Sequence, residues 1–214
     1  MPKLSDEKQQ ERRQHILDAA GACFARKGFH QTTMSDICRE AGVSAGALYL
    51  YFKSKETLIE GLVARDRDEF LELFAEVDTS DLMNSLGALM DTCVVHQPPE
   101  KIAIFLEIGV ESRRNPAVAE TMMRCDATIR ASITDLLERA KAAGTINPDR
   151  PISEIVDVME VIADGLFWSL GCRPNVDVAS VARSILPVIA QMLRPTAPAP
   201  FAPSLFQSHK ETSS

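Results

Sequence analysis

Residues 31–58 read QTTMSDICREAGVSAGALYLYFKSKETL, and this stretch decides the fold. Thr33 precedes a short apolar-periodic segment and Asp36 follows three residues later, which predicts a capping box at the start of a helix over 34–41. Gly42 ends that helix, and Ser44 is a typical N-cap for a second helix over 45–51. Two short helices joined by a tight turn that contains glycine are typical of a helix-turn-helix.

The second of these helices has the side chains of a helix that reads DNA. Leu48 and Phe52 lie four residues apart and are expected to anchor it to a core. The small residues at 45–47 would then let its backbone approach base edges in a major groove. Leu50 points outward, where it can meet thymine methyl groups, and Lys55 begins the next helix, where a cation attracts phosphate.

Helical periodicity continues on both sides of this segment, and the alternation expected of strands is nearly absent. The apolar stripe of the first helix ends at Gly28, which suits a left-handed C′ position. The sequence therefore predicts an all-α chain. Nine helices are expected, over residues 9–27, 34–41, 45–51, 55–77, 81–96, 100–114, 117–143, 152–171 and 177–193.

Composition favours an ordinary water-soluble chain. Of 214 residues, 45% are hydrophobic and 25% charged, and no apolar run reaches the ~18 residues of a membrane span. The first residues form no apolar signal-peptide core, and the five cysteines are an odd number with no CxxC. We therefore expect a cytoplasmic protein with free thiols that binds no membrane.

Charge is distributed unevenly along the chain. The net charge is −7, but residues 1–56 hold 9 Lys and Arg against 7 Asp and Glu, whereas the remainder holds 14 against 23. Cationic side chains are thus concentrated in the segment that contains the helix-turn-helix, where phosphates would be met.

Taken together, residues 24–58 strongly resemble the DNA-binding domain of the TetR family of bacterial transcriptional repressors. The matching residues are Phe24–Phe29, Thr32–Met34, Asp36–Ile37, Ala41–Ser44, Gly46, Leu48–Tyr49, Tyr51–Phe52, Ser54–Glu56 and Leu58. The family often has His where this chain has Tyr51, and the tyrosine keeps a polar group at the tip of the side chain. The resemblance implies a homodimer that binds double-stranded operator DNA of palindromic sequence.

By this resemblance, Thr33, Ser44, Tyr49, Tyr51 and Lys55 contact phosphates, and Ala45, Gly46 and Ala47 lie nearest the bases. Few of these side chains can form bidentate contacts to a base. Specificity is therefore expected to depend also on Thr32, on Arg39 or on DNA shape.

The resemblance also implies a division into residues 1–54 for DNA binding and 55–194 for ligand binding and dimerisation. Residues 195–214 are rich in Pro, Ala and Ser, which predicts a flexible tail. The tail could instead dock on residues 55–194, the body of the chain, through Phe201, Leu205 and Phe206. The helix from residue 55 would transmit ligand binding to residues 1–54, the head, and the last two helices would form the dimer interface.

Methionine and aromatic side chains of residues 55–194 are candidates for binding a small hydrophobic, aromatic effector, although for each residue taken alone a place in the core is favoured. Trp168 fits a core or a dimer seam as well as a pocket. Asp164 is either an exposed or partnered carboxylate or a polar anchor for the ligand. The candidate ligand residues are Phe70, Phe74, Met90, Cys93, Phe105, Met122, Cys125, Ile129, Asp164 and Trp168.

No catalytic or metal-binding motif is present: GxSxG, a Gly-rich phosphate loop, HExxH and clustered Cys and His are all missing from the sequence. The chain is therefore expected to be no enzyme and to need no metal or cofactor. Two alternatives to a ligand-responsive repressor remain open. One is a DNA-binding regulator without a ligand, and the other is an enzyme or carrier that has lost DNA binding.

Overall fold

Each of the nine predicted helices is present in the computed structural model, which describes residues 6–173 and 175–197. Within those residues the fold is all-α, as predicted, and the one element of sheet is an isolated antiparallel bridge between Ile146 and Pro195. The helices are α1 (Asp6–Gln31), α2 (Met34–Glu40), α3 (Ala45–Tyr51), α4 (Lys55–Ala75), α5 (Leu82–Met90), α6 (Pro99–Ser112), α7 (Pro116–Ala142), α8 (Ile152–Cys172) and α9 (Val178–Leu193).

The first helix is interrupted where the sequence predicts its end. Gly28 has φ 74° and ψ 165°, a backbone conformation that is essentially restricted to glycine, and Phe29–Gln31 form a further short turn. The left-handed C′ conformation predicted for Gly28 is therefore wrong in ψ, although φ is positive, and the chain leaves α1 in a new direction toward α2.

The helix predicted over 81–96 is not uniform. A short 3₁₀ turn at Thr79–Asp81 precedes α5, and residues Asp91–Val95 form a wider π-helical turn in which the N–H of His96 donates to the carbonyl of Asp91 at 3.0 Å. Three of those five residues are β-branched, which lowers helix propensity, and the prolines at 98 and 99 follow.

The chain divides into two compact units. The first consists of the described residues up to Asp68 together with Pro98–Asp126, and the second of Glu69–Gln97 together with the described residues from Ala127 onward. The helix-turn-helix thus shares a unit with α6 and the start of α7. The predicted functional boundary at residue 54 is a different division and stays a prediction.

The first unit is held together by fully buried side chains of α1 to α4. Gly21 of α1 lies so close to α6 that an added Cβ would be 3.0 Å from Cδ1 of Ile104, so the two helices touch backbone to side chain. The largest buried side chains here are Ile16, Leu17, Phe24, Ile37, Leu48, Leu58, Ile59 and Leu62.

The second unit has its own apolar core, formed by α5, the second part of α7, α8 and α9. Arg130 of α7 also pairs with Asp157 and Glu160 of α8. The fully buried members include Leu136, Leu137, Ala140, Val156, Ala182 and Leu193.

The segment predicted as a tail begins in an ordered contact. The backbone N–H of Thr196 donates to the carbonyl of Thr145 at 3.0 Å, and its hydroxyl donates to the carbonyl of Gly144 at 2.9 Å. Residues 195–197 therefore belong to the second unit. The rest of the predicted tail, with Phe201, Leu205 and Phe206, lies outside the described residues.

Candidate nucleic-acid interface

Both predicted N-caps of the helix-turn-helix are formed. The N–H of Asp36 donates to the hydroxyl of Thr33 at 3.1 Å, and the N–H of Thr33 donates to the carboxylate of Asp36 at 3.0 Å, which completes the capping box. At α3 the N–H of Ala47 donates to the hydroxyl of Ser44 at 3.2 Å. Gly42, with φ 61°, makes the turn between the helices. The direction of α3 is thus fixed by local contacts.

The two sides of α3 differ in the way the sequence predicts. Leu48 and the C-cap residue Phe52 are buried, and they attach the helix to the core of the first unit. On the opposite side Leu50 is 77% exposed and Tyr49 43% exposed. An exposed leucine on a two-turn helix leaves a large apolar side chain in water, so it is well placed for an apolar partner.

The small residues at the start of α3 are open to solvent. Ser44, Ala45 and Gly46 are exposed, and Ala47 is half-buried. A Cβ added at Gly46 would meet no atom within 4 Å, so nothing in this chain occupies the space in front of it. The structure thus brings the predicted base-facing residues together on one accessible surface.

Two lysines flank the end of α3, and each donates to a backbone carbonyl. The ammonium of Lys55 donates to the carbonyl of Phe29 at 2.5 Å and lies 4.2 Å from the centroid of its ring. Lys53, on the exposed surface, donates to the carbonyl of Tyr49 at 2.5 Å. Each ammonium has further N–H donors that can reach a phosphate.

The two threonines before α2 lie in different environments. Thr32 is 1% exposed, and its hydroxyl donates to the carbonyls of Gly28 and Cys23 at 2.8 and 3.2 Å. Its side chain closes the end of α1 and does not lie on the accessible surface with α3. Thr33 is exposed, although its hydroxyl donates to Asp36 at 2.8 Å within the capping box.

Asp36 is the electrostatic centre of α2. Lys27 donates to its carboxylate at 2.9 Å, Arg39 pairs with the same oxygen, and the backbone and hydroxyl of Thr33 bind the other oxygen. These contacts, with Lys27 first, hold the pKa of the Asp36 carboxyl well below its usual range. The negative charge therefore persists to a lower pH than that of an ordinary aspartate, and it orients two cations beside the recognition segment.

Two glutamates of α6 that sequence reasoning missed hold the end of α1. Glu107 accepts from the N–H of Phe29 at 3.0 Å, and the buried carboxylate of Glu111 pairs with Nε2 of His30 at 2.9 Å. The available signal was their spacing of four residues within the apolar sequence of α6, which places both carboxylates on one helical face.

A depression of about 470 Å³ lies beside the turn that joins α2 to α3. Lys8 and Arg12 of α1 line it together with Ala41–Val43. Glu11 and His15 complete the lining, and His15 contacts the carbonyl of Ala41 through Nε2 at 2.9 Å. Lys8 and Arg12 were not singled out from the sequence, and they add two cations next to the predicted DNA surface.

The candidate effector residues are divided between the two units. Phe105, Met122 and Cys125 belong to the first unit. Cys125 is buried, and desolvation, with nearby carboxylates, raises the pKa of its thiol to about 11. The other candidates belong to the second unit; they are Phe70, Phe74, Met90, Cys93, Ile129, Asp164 and Trp168.

Within the second unit the candidates have three different environments. Phe74 is a core residue and stacks on Phe70 with ring centroids 5.3 Å apart, while Met90 and Ile129 pack against the same core. Cys93 lies in the π-helical turn and is half-buried.

Asp164 and Trp168 are exposed on α8, and Trp168 is 53% exposed. Of the interpretations left open for Trp168, the core is wrong, and the dimer seam and the ligand pocket both stay predictions. Partial desolvation raises the pKa of the Asp164 carboxyl above its ordinary value.

Comparison with known proteins shows where this arrangement occurs. The sequence family described as "Bacterial regulatory proteins, tetR family" matches residues 16–62, the segment from the middle of α1 into α4. The HTH-type transcriptional regulator UidR of Escherichia coli K12 is 32% identical over 183 residues, which cover 85% of this chain and 92% of that protein. The chain belongs to the TetR family of bacterial regulatory proteins.

Further relatives agree with this assignment. The structure of Salmonella enterica GusR superposes with a TM-score of 0.75 at 30% identity, covering 86% of this chain and 96% of that one. The HTH-type transcriptional repressor Rv1474c of Mycobacterium tuberculosis is 29% identical over 170 residues, or 79% of this chain and 88% of that protein. This TetR-family chain is therefore a DNA-binding transcriptional regulator, and the resemblance found in the sequence is confirmed.

Within residues 6–173 and 175–197, no three His, Cys, Asp or Glu side chains are grouped so that they could hold a metal ion. In the same described part of the chain, every helix is too short or too polar to cross a lipid bilayer.

Proposed function

We propose that this chain represses transcription in the bacterial cytoplasm by binding a palindromic operator as a homodimer, and that a small hydrophobic, aromatic effector releases it. The observation that carries the proposal is the accessible side of α3, where Leu50 stands 77% exposed beside the open backbone of Gly46. A surface that combines small residues, one apolar side chain and flanking lysines is suited to base edges and phosphates.

The contacts assigned to DNA divide into two kinds. Ala45, Gly46 and Leu50 face the bases, and the hydroxyls and ammonium groups around them bind phosphates. The phosphate set consists of Ser44, Tyr49, Tyr51, Lys53 and Lys55, with Thr33 and the cations Lys8 and Arg12 at its edge. Phosphate contacts make affinity depend on salt, whereas base contacts determine the preferred sequence.

Support for a homodimer comes from α8 and α9. Val158, Val161 and Trp168 of α8 are 42%, 71% and 53% exposed, and Val181 and Val188 of α9 are 37% and 48% exposed. Their spacings of three, seven and ten residues place the members of each helix on one face. A second copy that applies the same two helices would remove this apolar surface from water in a symmetric interface.

Repression and release are supported more indirectly. Relatives named as repressors include Rv1474c and AcnR of Corynebacterium diphtheriae, the latter 28% identical over 180 residues. The stacked Phe70 and Phe74 and the partly buried Met90 supply the aromatic and polarisable side chains that apolar effectors bind. The effector acts only if it binds the released state more tightly than the DNA-bound state, by ~1–3 kcal/mol for a useful switch.

Fluorescence anisotropy with the intergenic DNA beside the protein's own gene tests the proposal. We expect specific binding whose affinity falls steeply with salt, with a slope of about −0.9 for each phosphate contacted. One compound of an aromatic panel should weaken it. Specific binding that no compound changes would favour the regulator without an effector, and no specific binding would favour the carrier or enzyme.

The dimer is tested separately by sedimentation. Val161→Glu places a charge in the proposed interface and should convert dimers to monomers and abolish tight operator binding. Val110→Glu changes a valine of α6 that is 51% exposed and lies in the first unit, so it should leave the dimer intact. Equal effects of the two substitutions would contradict an interface on α8 and α9.

A further inference from the structure

A groove of about 730 Å³ runs along the surface of the second unit, between the end of α4 and the middle of α7. Leu71, Phe74 and Ala75 line it from α4. The α7 side is formed by small side chains, among them Ala127 and Ala131. The groove is therefore mainly apolar, with room between the helices for larger side chains than its own.

The charged residues of the groove lie at one end of it, and Thr128 and Ser132 add two uncharged polar side chains along α7. Asp135 and Arg139 line the part nearest the end of α7, and they pair with each other at 2.9 Å. Because this pair satisfies itself, it presents no unpaired charge to an occupant. An apolar occupant is therefore favoured over a charged one.

The chain leaves the described structure next to this end of the groove. The N–H of Asn147 donates to the carbonyl of Arg194 at 3.0 Å, and the N–H of Thr196 donates to the carbonyl of Thr145 at 3.0 Å. The bridge between Ile146 and Pro195 is antiparallel, so the chain that leads out of Pro195 runs opposite to the chain that leads from Gly144 to Ile146. Beyond Thr196 the chain is therefore directed toward Gly144 and the last turn of α7.

The following residues have the reach and the composition to fill the groove. Along a helix axis Arg139 is about 8 Å and Ala127 about 26 Å from Gly144. A Pro-rich segment extends by about 3.1 Å per residue, so Phe201 can reach about 16 Å beyond Thr196 and Phe206 about 31 Å. The apolar side chains of the segment PAPFAPSLFQSHK, residues 198–210, thus span the same interval as the groove.

We propose that residues 198–210 of this chain bind the groove between α4 and α7, with Phe201, Leu205 and Phe206 as apolar anchors. The attachment at Thr196 makes binding intramolecular, with an effective concentration on the order of 1 mM for a short tether. An intrinsic dissociation constant of about 100 μM would then keep the groove about 90% occupied. The segment acts as a built-in peptide ligand of the second unit.

A labelled peptide of residues 198–210 tests this in the full chain. In the variant F201S/L205S/F206S the anchors are removed, so the groove is open and the peptide binds in trans. In the unsubstituted chain the attached segment competes, and we expect apparent affinity to be about tenfold weaker at the effective concentration above. Equal affinity for the two proteins, or no binding to either, would overturn the proposal.

Controls fix the place of binding. In the triple variant, Ala131→Trp fills the groove and should abolish peptide binding, whereas Ala88→Trp on the exposed part of α5 should not. A peptide with serine at the three anchor positions should not bind, which tests the anchors without changing the fold. If the unsubstituted chain instead associates beyond a dimer in sedimentation and the triple variant does not, the groove binds the segment of a second copy and the proposal is wrong. Loss of peptide binding in both Ala131→Trp and Ala88→Trp would also contradict the proposal.

Discussion

The carboxylate of Glu107 accepts a hydrogen bond from the backbone N–H of Phe29 at 3.0 Å, directly after the break of α1 at Gly28. The carbonyl of Phe29 accepts from Lys55 of α4 at 2.5 Å. Both backbone polar groups of one residue are thus held by side chains from two other helices. Because α2 begins at Met34, five residues later, these contacts fix where the recognition segment starts.

Replacing Glu107 by alanine should therefore destabilise the chain. The N–H of Phe29 would lose a charged acceptor, which is worth about 1.5–3 kcal/mol for a hydrogen bond to an ionised group. We expect this loss in the free energy of unfolding from urea titration, together with weaker operator binding. Glu107→Gln keeps an acceptor oxygen and should lose less. Glu100→Ala removes an exposed glutamate from the first turn of the same helix and serves as the control.

Gly28 and Gly42 should respond differently to alanine. Both have positive φ, so each substitution strains the backbone by about 1–2 kcal/mol. At Gly28 the combination of φ and ψ lies in a region that only glycine adopts readily. A Cβ added there would also lie 3.1 Å from Oε2 of Glu107, whereas a Cβ added at Gly42 would meet no atom within 4 Å. Thermal unfolding should show the larger loss for Gly28→Ala. Equal losses would mean that neither the ψ of Gly28 nor the contact with Glu107 adds to the strain.

Local signals allowed most of the fold to be predicted. The caps at Thr33 and Ser44 and the break of α1 at Gly28 follow from residue types a few positions apart, and the structure has each of them. The contact of Glu107 with Phe29 spans 78 residues, and no single local pattern indicates such a partner. The burial of Thr32 was missed for the same reason. A threonine next to an N-cap is expected to be exposed, and its contacts with the carbonyls of Cys23 and Gly28 depend on how α1 ends.

The body was harder to interpret because apolar periodicity does not distinguish a core from a pocket or an interface. Phe74 and Trp168 were candidates of the same kind, yet Phe74 is 6% exposed and Trp168 53% exposed. Both carry the same apolar signal in the sequence. What separates them is which face of each helix the neighbouring helices cover, and that depends on tertiary packing.

Asp36→Asn should destabilise the head in a pH-dependent manner. The pKa of Asp36 is lowered in the folded chain, so its ionised form adds stability that is fully present above its pKa in the unfolded chain, about 3.9. That stability falls as pH decreases from about 4 toward the lower folded pKa. The difference in urea midpoint between the two proteins should be constant from pH 5 to 7 and shrink below pH 4. A difference that grows on acidification would contradict the assignment.

Gly46→Ala should separate DNA binding from stability. Gly46 lies in the first turn of α3, its φ is not positive and an added Cβ meets no atom, so alanine should leave the melting temperature unchanged or raise it slightly. The same methyl group projects from the surface assigned to the bases and should weaken operator affinity at least tenfold, about 1.4 kcal/mol. The salt slope should not change, because no phosphate contact is lost. Weaker binding with a smaller slope would instead place Gly46 against the phosphates.

The thiol of Cys125 should react slowly and with an unusual pH dependence. Burial, with the nearby carboxylate of Asp126, raises the pKa of the Cys125 thiol to about 11. At pH 8 its thiolate fraction is therefore lower, by a factor on the order of 100, than that of a free thiol with a pKa of about 8.5. Iodoacetamide labelling followed by mass spectrometry should show half-buried Cys38 modified before Cys125 at pH 8. Between pH 9 and 10 the rate at Cys125 should still rise about tenfold, because its thiolate remains a minor form there. A rate that levels off near pH 9 would mean that the carboxylates and the apolar surroundings of Cys125 do not act on the thiol as the structure indicates.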